Sequence, residues 1–134
     1  MRWSDMDAYG HVNNVVYLTY LEEARVDMLF VHEPTHRAGR LASGVVVARH
    51  EIDYKRPIVF RPEPLRIETW VSRIGNASFT LGHEVVDDTP DGKRLLYARA
   101  ASVLVPYDTA EDRPRRVTQE ERAVLEQFLD PVPV

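Results

Sequence analysis

Apolar residues recur at intervals of three and four near the front of the chain: Val16, Tyr17, Tyr20, Leu21, Ala24, Met28 and Val31. A helix turns once in about 3.6 residues, so this spacing lines them along one face. Glu22, Glu23, Arg25 and Asp27 fall among them and read as the charged face of the same helix, with burial of Arg25 in a dimer as a second reading for that residue. Pro34 cannot donate to the helical ladder. The pattern therefore predicts one long helix, about 14–32. Residues 33–44, rich in turn formers, read as a connection.

From there the period changes from helical to two. The stretch 45–54 alternates, with Ile52 and Tyr54 on the apolar side of its latter half. The stretch 65–74 places Leu65, Ile67 and Val71 on one face, and 78–87 does so with Phe79, Leu81 and Val85. The run 94–107 is long and nearly all apolar or small. Short turns at "GNA" and "DTPDGK" suit antiparallel hairpins. A fifth strand is expected at Met1–Trp3, too short unless residues upstream complete it. Thr118 followed by Glu121 is a capping-box signal for a last short helix over about 119–129. A helix followed by a run of strands is α+β.

The length of 134 residues fits one domain, 1–134, with a small core. A chain of this size leaves its long last strand and lone helix poorly covered, so at least a homodimer is expected, or a homotetramer. No cysteine is present, which removes disulfides and thiolate metal sites. No apolar run approaches the roughly 18 residues of a membrane span, and the start lacks a signal-peptide core. Cytoplasm is the expected location. The net charge of −4 and the lack of a basic run argue against nucleic-acid binding.

The polar stretch "DMDAYGHVNN", Asp5 to Asn14, stands just before the helix. A helix N-terminus offers free N–H groups and partial positive charge. A carboxylate on a loop turning at Gly10 can face the same point. Base and oxyanion donor together form a minimal acyl-transfer site for an activated substrate such as a thioester. Capping alone is the commoner role for Asp and Asn before a helix. Asp5, Asp7 and His11 are suitable metal ligands by type, but the dense spacing of metal motifs is absent. No metal or cofactor is expected.

The stretch "RWSDMDAYGHVNNVVYLTYLEEAR" resembles the opening of hotdog-fold acyl thioesterases of the 4-hydroxybenzoyl-CoA thioesterase family. The spacing D-x-D-x-x-G-H-V-N-N-x-x-Y is the specific part, and "DYKRPI" and "SRIGNASF" follow in the family's order. The resemblance implies a five-stranded antiparallel sheet wrapped around a long central helix, active as paired subunits. It implies hydrolysis of acyl-CoA or acyl-carrier-protein thioesters. The catalytic aspartate falls on Asp7, which would activate a water or attack the carbonyl. The turn glycine falls on Gly10 and the polarising backbone N–H at about Asn14. His11 and Asn13 match a large subgroup and are read as shaping the loop or orienting Asp7, with Asp5 as a supporting loop residue.

By the same resemblance Arg73, Asn76 and Ser78, around a tight hairpin, meet the phosphates of coenzyme A or a phosphopantetheine arm; a solvated turn is the equal alternative. Arg113, Arg115 and Arg116 form the densest basic cluster and could serve the same anion. Tyr17 and Tyr20 read first as core packing, then as lining of an acyl pocket. His50 and His83 read as structural. A hotdog dehydratase would need an Asp and a His on another segment, and no such pair stands out. The competing class is a non-catalytic acyl-CoA-binding or regulatory module.

Overall fold

The computed structural model describes residues 1–28, 44–60 and 63–130. Helix α1 spans Asn14–Val26; the expected continuation to 32 runs into residues outside those described. The strands are β1 (Val45–Tyr54), β2 (Arg66–Ile74), β3 (Phe79–Asp88), β4 (Arg94–Asp108) and the short β5 (Arg113–Pro114), followed by α2 (Gln119–Glu126). They form one five-stranded sheet in the order β1-β4-β3-β2, with β5 on β4, and every pairing is antiparallel. This is the expected α+β hotdog architecture. The capping box is present as read: Thr118 Oγ1 accepts from the Glu121 N–H, and the Glu121 carboxylate accepts from the Thr118 N–H.

The fifth strand is not the expected one. Met1–Trp3 does not join the sheet, and Trp3–Asp5 forms a 3-10 turn. The cause is local. The Asp5 carboxylate accepts from the Arg2 backbone N–H at 2.8 Å and from Arg2 Nε at 3.1 Å, and the Asp5 N–H donates to the Arg2 carbonyl. Those bonds curl the segment instead of extending it.

Paired residues of adjacent strands share a face, so one side of the sheet carries Val71, Leu81, Val85, Ala98, Ala100 and Leu104, all buried. Tyr17 and Leu21 of α1 pack with Val85, Ala98, Ala100 and Ile58. Val124 and Leu125 of α2 pack with Val71, Phe79, Leu81 and Leu104. A bulge between Val47 and Arg49 breaks the alternation of β1. It brings Val47 to the side that carries His50 and Ile52.

His83 sits on this packed face, only 1% exposed. Burial, then the nearby His50 and Arg25, depress its pKa from 6.5 to about 4. The folded chain holds it neutral, whereas the unfolded chain protonates it below about 6.5. Its contribution is complete above that pH and is lost as pH falls towards about 4. The loss across that window is about 3 kcal/mol. Urea midpoints measured at a series of pH values should fall steadily over it. In His83→Gln that slope should flatten, whatever the absolute stability of the variant.

Candidate active site

The loop before α1 is held by its own backbone. The Asp7 N–H donates to the His11 carbonyl at 2.7 Å, and the Gly10 N–H donates to the Asp7 carbonyl. Gly10 has φ +77°, a left-handed conformation that costs a residue with a Cβ. A Cβ there would meet nothing within 4 Å, so conformation, not space, calls for glycine. Asp7 Oδ1 accepts from the Tyr9 and His11 N–H groups at 2.8 and 3.2 Å. Its Oδ2 has no hydrogen-bond partner among the described residues.

Asn13 is the N-cap of α1, and its side chain accepts from the Val15 N–H at 3.0 Å. It shapes the helix start and makes no bond to Asp7. Asn14 is the first helical residue. Its N–H donates to no group among the described residues, as expected at a helix start. Asp7, His11, Asn14 and Tyr17 line one cleft of about 210 Å³ with Tyr54, Lys55 and Arg56. Asp7 and the first residue of α1 therefore border the same space.

Tyr17 is 2% exposed and packs edge to face on Tyr54 with ring centroids 5.0 Å apart. Burial pushes its hydroxyl pKa up to about 12, so Tyr17 is uncharged near neutral pH. Tyr54 Oη donates to the Asn14 carbonyl at 3.0 Å and ties the end of β1 to the start of α1. Tyr54, Lys55 and Arg56 escaped the sequence reading as site residues. Their signal was the end of the β1 alternation, where a cationic pair follows the last core-facing tyrosine.

Asp5 does different work. It is 2% exposed and accepts from Tyr20 Oη at 2.5 Å and from Arg2. The Tyr20 hydrogen bond, aided by Arg2, holds its pKa below the ordinary value although burial opposes this. Its carboxylate is thus occupied away from Asp7. Among the described residues no group of three His, Asp or Glu side chains is placed to hold a metal ion.

Arg73, Asn76 and Ser78 lie elsewhere in the chain. Their hairpin is at the end of the sheet where Phe79 pairs Leu104, while Tyr54 pairs Ala98 at the other end. Of the basic cluster, Arg115 is committed to Glu121 through two hydrogen bonds of 2.7 and 2.6 Å. Burial would raise the Glu121 pKa, but Arg115 and the Thr118 N–H hold it low. Arg113 and Arg116 remain exposed.

The model of the thioesterase-like superfamily matches residues 1–128. The chain is 30% identical over 129 residues to the long-chain acyl-CoA thioesterase FadM of Escherichia coli, covering 96% of this chain and 95% of that protein. Its fold superposes with a TM-score of 0.81 on a predicted thioesterase from Bacillus stearothermophilus, at 23% identity over 99% of this chain and 94% of the other. A variant of 4-hydroxybenzoyl-CoA thioesterase, solved with 4-hydroxybenzoyl-CoA, gives a TM-score of 0.80 at 19% identity, covering 93% of each chain.

Proposed function

Because the chain belongs to the thioesterase-like superfamily, we propose that it hydrolyses acyl thioesters, acyl-CoA foremost, to free acid and thiol. The observation that carries this reading is the shared cleft of Asp7 and Asn14 at the start of α1. The thioester carbonyl oxygen accepts from the Asn14 N–H. As a nucleophile adds, charge grows on that oxygen where the Asn14 N–H and the helix dipole favour it. Asp7 Oδ2 takes a proton from a water, whose oxygen bonds to the carbonyl carbon. The tetrahedral species then expels the thiolate, which receives the proton from Asp7. His11, Gly10 and Asn13 hold the loop in the form that this requires. Lys55 and Arg56 at the cleft offer cations to the phosphates of the thiol, and a carrier-protein arm shares the same phosphopantetheine chemistry. Acyl-CoA hydrolysis fits a cytoplasmic protein. No helix among the described residues is long and apolar enough to cross a membrane.

The working unit in this reading is a dimer. β1 pairs only with β4 among the described residues, so its other edge is an unpaired ladder. It is also an exposed strand with apolar side chains, Val46 at 42% and Val47 at 41%. Antiparallel pairing of two β1 edges about a two-fold axis removes both liabilities. It also sets the Tyr54 end of one chain, with its Asp7 cleft, against the Val45 end of the other. The Arg73 hairpin belongs to that second end. Arg73, Asn76 and Ser78 are therefore assigned to the phosphate side of the partner's site.

Mixing the protein with acyl-CoAs should release thiol and acid in equal amounts, with chelator making no difference. Saturable binding without release would instead make it a binding module. In a single turnover in heavy-oxygen water, the product acid should carry the heavy atom. An unlabelled acid would show that Asp7 attacks the carbonyl itself.

A further inference from the structure

β1 is ten residues long, and all of them except Val45 and Ile52 are exposed. One edge of the strand pairs with β4, and the other pairs with nothing among the described residues. An open edge of this length is a template for a further strand. A second copy of the chain supplies that strand in the dimer. Which residue of β1 stands on the two-fold axis then decides which residues of the partner reach the Asp7 cleft.

The faces of the strand restrict the choice. Val47, His50, Ile52 and Tyr54 stand opposite the buried Leu104, Ser102, Ala100 and Ala98, and Val45 stands opposite Pro106. Val46, Arg49, Glu51 and Asp53 face the other side, and Ala48, at the bulge, has no opposite residue. Side chains directly opposite one another across an antiparallel pair share a face. In a two-fold pair of identical strands one residue therefore meets its own copy, and its neighbours pair symmetrically about it. β1 has nine ladder positions and His50 is the fifth, so centring on His50 pairs the whole strand.

Charge selects the same centre. Arg49 or Glu51 on the axis would set like charges opposite one another, and Ile52 there would set Glu51 against the partner's Asp53 twice. Such pairs destabilise a ladder. With His50 on the axis, Arg49 meets the partner's Glu51, and Glu51 meets the partner's Arg49. The Arg49–Glu51 ion pair within each chain thus joins a cluster of alternating charge. On the packed face Val47 meets the partner's Ile52, and Tyr54 meets the partner's Val45. That contact covers Val47 and Tyr54, which are 41% and 43% exposed in one chain. His50 carries no charge near neutral pH, because burial, then Arg25, lower its pKa.

We propose that two copies pair through β1 in this one register, with His50 opposite the partner's His50, and that the partner's Val45 seats on Tyr54 and completes the wall of the Asp7 cleft. This rests on the dimer reading. Tyr54 lines that cleft and donates to the Asn14 carbonyl, so the partner's strand end abuts the residue that ties β1 to α1.

The chain has no cysteine, so an introduced thiol has only its own copy to pair with. Directly opposed Cα atoms lie about 4.5–5.5 Å apart, within disulfide range, whereas residues offset by two ladder positions lie about 8 Å apart and outside it. Under mild oxidation His50→Cys should form a covalent dimer on a non-reducing gel. Arg49→Cys and Glu51→Cys should each fail to cross-link alone and should cross-link when mixed. Val46→Cys mixed with Asp53→Cys should cross-link too, which places the partner's strand end at Tyr54. The mixed pairs keep His50 and its 2.8 Å contact with Ser102 Oγ, so they test the register even where His50→Cys folds poorly. The covalent His50→Cys dimer should release thiol from acyl-CoA as fast as its reduced form. Cross-linking of Arg49→Cys or Glu51→Cys alone would overturn the register while leaving the edge pairing in place. So would a covalent His50→Cys dimer whose activity returns only on reduction. A dimer by native mass spectrometry that none of these thiols links would overturn the β1 interface, and a monomer would reject the dimer reading itself.

Discussion

Replacing Asp7 with asparagine should lower acyl-CoA turnover by about 10²–10⁴-fold, the usual loss for a positioned acid–base group. The loop should keep its shape. Asp7 Oδ1 accepts the Tyr9 and His11 N–H groups, and an asparagine carbonyl oxygen can accept both in the same place. What is lost is the second oxygen, which no side chain among the described residues occupies. An amide nitrogen there cannot take a proton from water. Asp5→Asn should behave in the opposite way. It weakens the bonds to Arg2 and Tyr20, so it lowers stability while leaving turnover per folded molecule nearly intact. The two variants, compared by kcat and by urea midpoint, separate the roles. A larger kcat loss in Asp5→Asn at matched stability would mean that the two carboxylates are assigned the wrong way round.

Two inactive proteins should restore one another when mixed. Asp7→Asn lacks the base, and Arg73→Glu puts an anion where the thiol's phosphates are expected, so each parent should be strongly impaired. The cleft with Asp7 and the hairpin with Arg73 lie at opposite ends of the sheet in one chain. The proposed antiparallel association would bring one chain's cleft to the other chain's hairpin. A mixed dimer then holds one site with both intact residues and one with neither. Random exchange makes about half of the dimers mixed, so about a quarter of the normal activity should return. Activity is followed during subunit exchange, with mixed dimers confirmed by native mass spectrometry. Proven mixed dimers with no recovery would reject a shared site, and a monomer at assay concentration would reject it sooner.

Much of this was legible in the residues, for identifiable reasons. The start of α1 at Asn14 follows from local rules, because helical spacing acts over a few residues. The core faces of β2 and β3 follow from strict alternation. In β1 alternation assigned only the latter half, because the bulge before Arg49 shifts Val47 to the side of His50 and Ile52, and a bulge leaves no mark in a hydrophobic pattern. The absent Met1–Trp3 strand is a similar case, since the curl depends on Asp5 reaching Arg2 and Tyr20. β5 is two residues long and too short for periodicity to register. Arg115 looked like part of an anion site because a charge count is blind to Glu121, which buries with it. Lys55 and Arg56 were missed because only the end of β1 folding onto the start of α1 brings them beside Asp7.

In the proposed complex a thioester carbonyl sits between Asp7 and the Asn14 N–H. That placement is tested most directly with an acyl-CoA carrying heavy carbon at that carbonyl, bound to Asp7→Asn protein, in which turnover is slow. Isotope-edited infrared difference spectra isolate the one carbonyl stretch. A hydrogen bond from a helix N-terminus, in a site sheltered from water, polarises the carbonyl more than water does. The band is expected below the frequency of the same thioester free in solution. A bound ligand whose carbonyl absorbs at or above its solution frequency would contradict it.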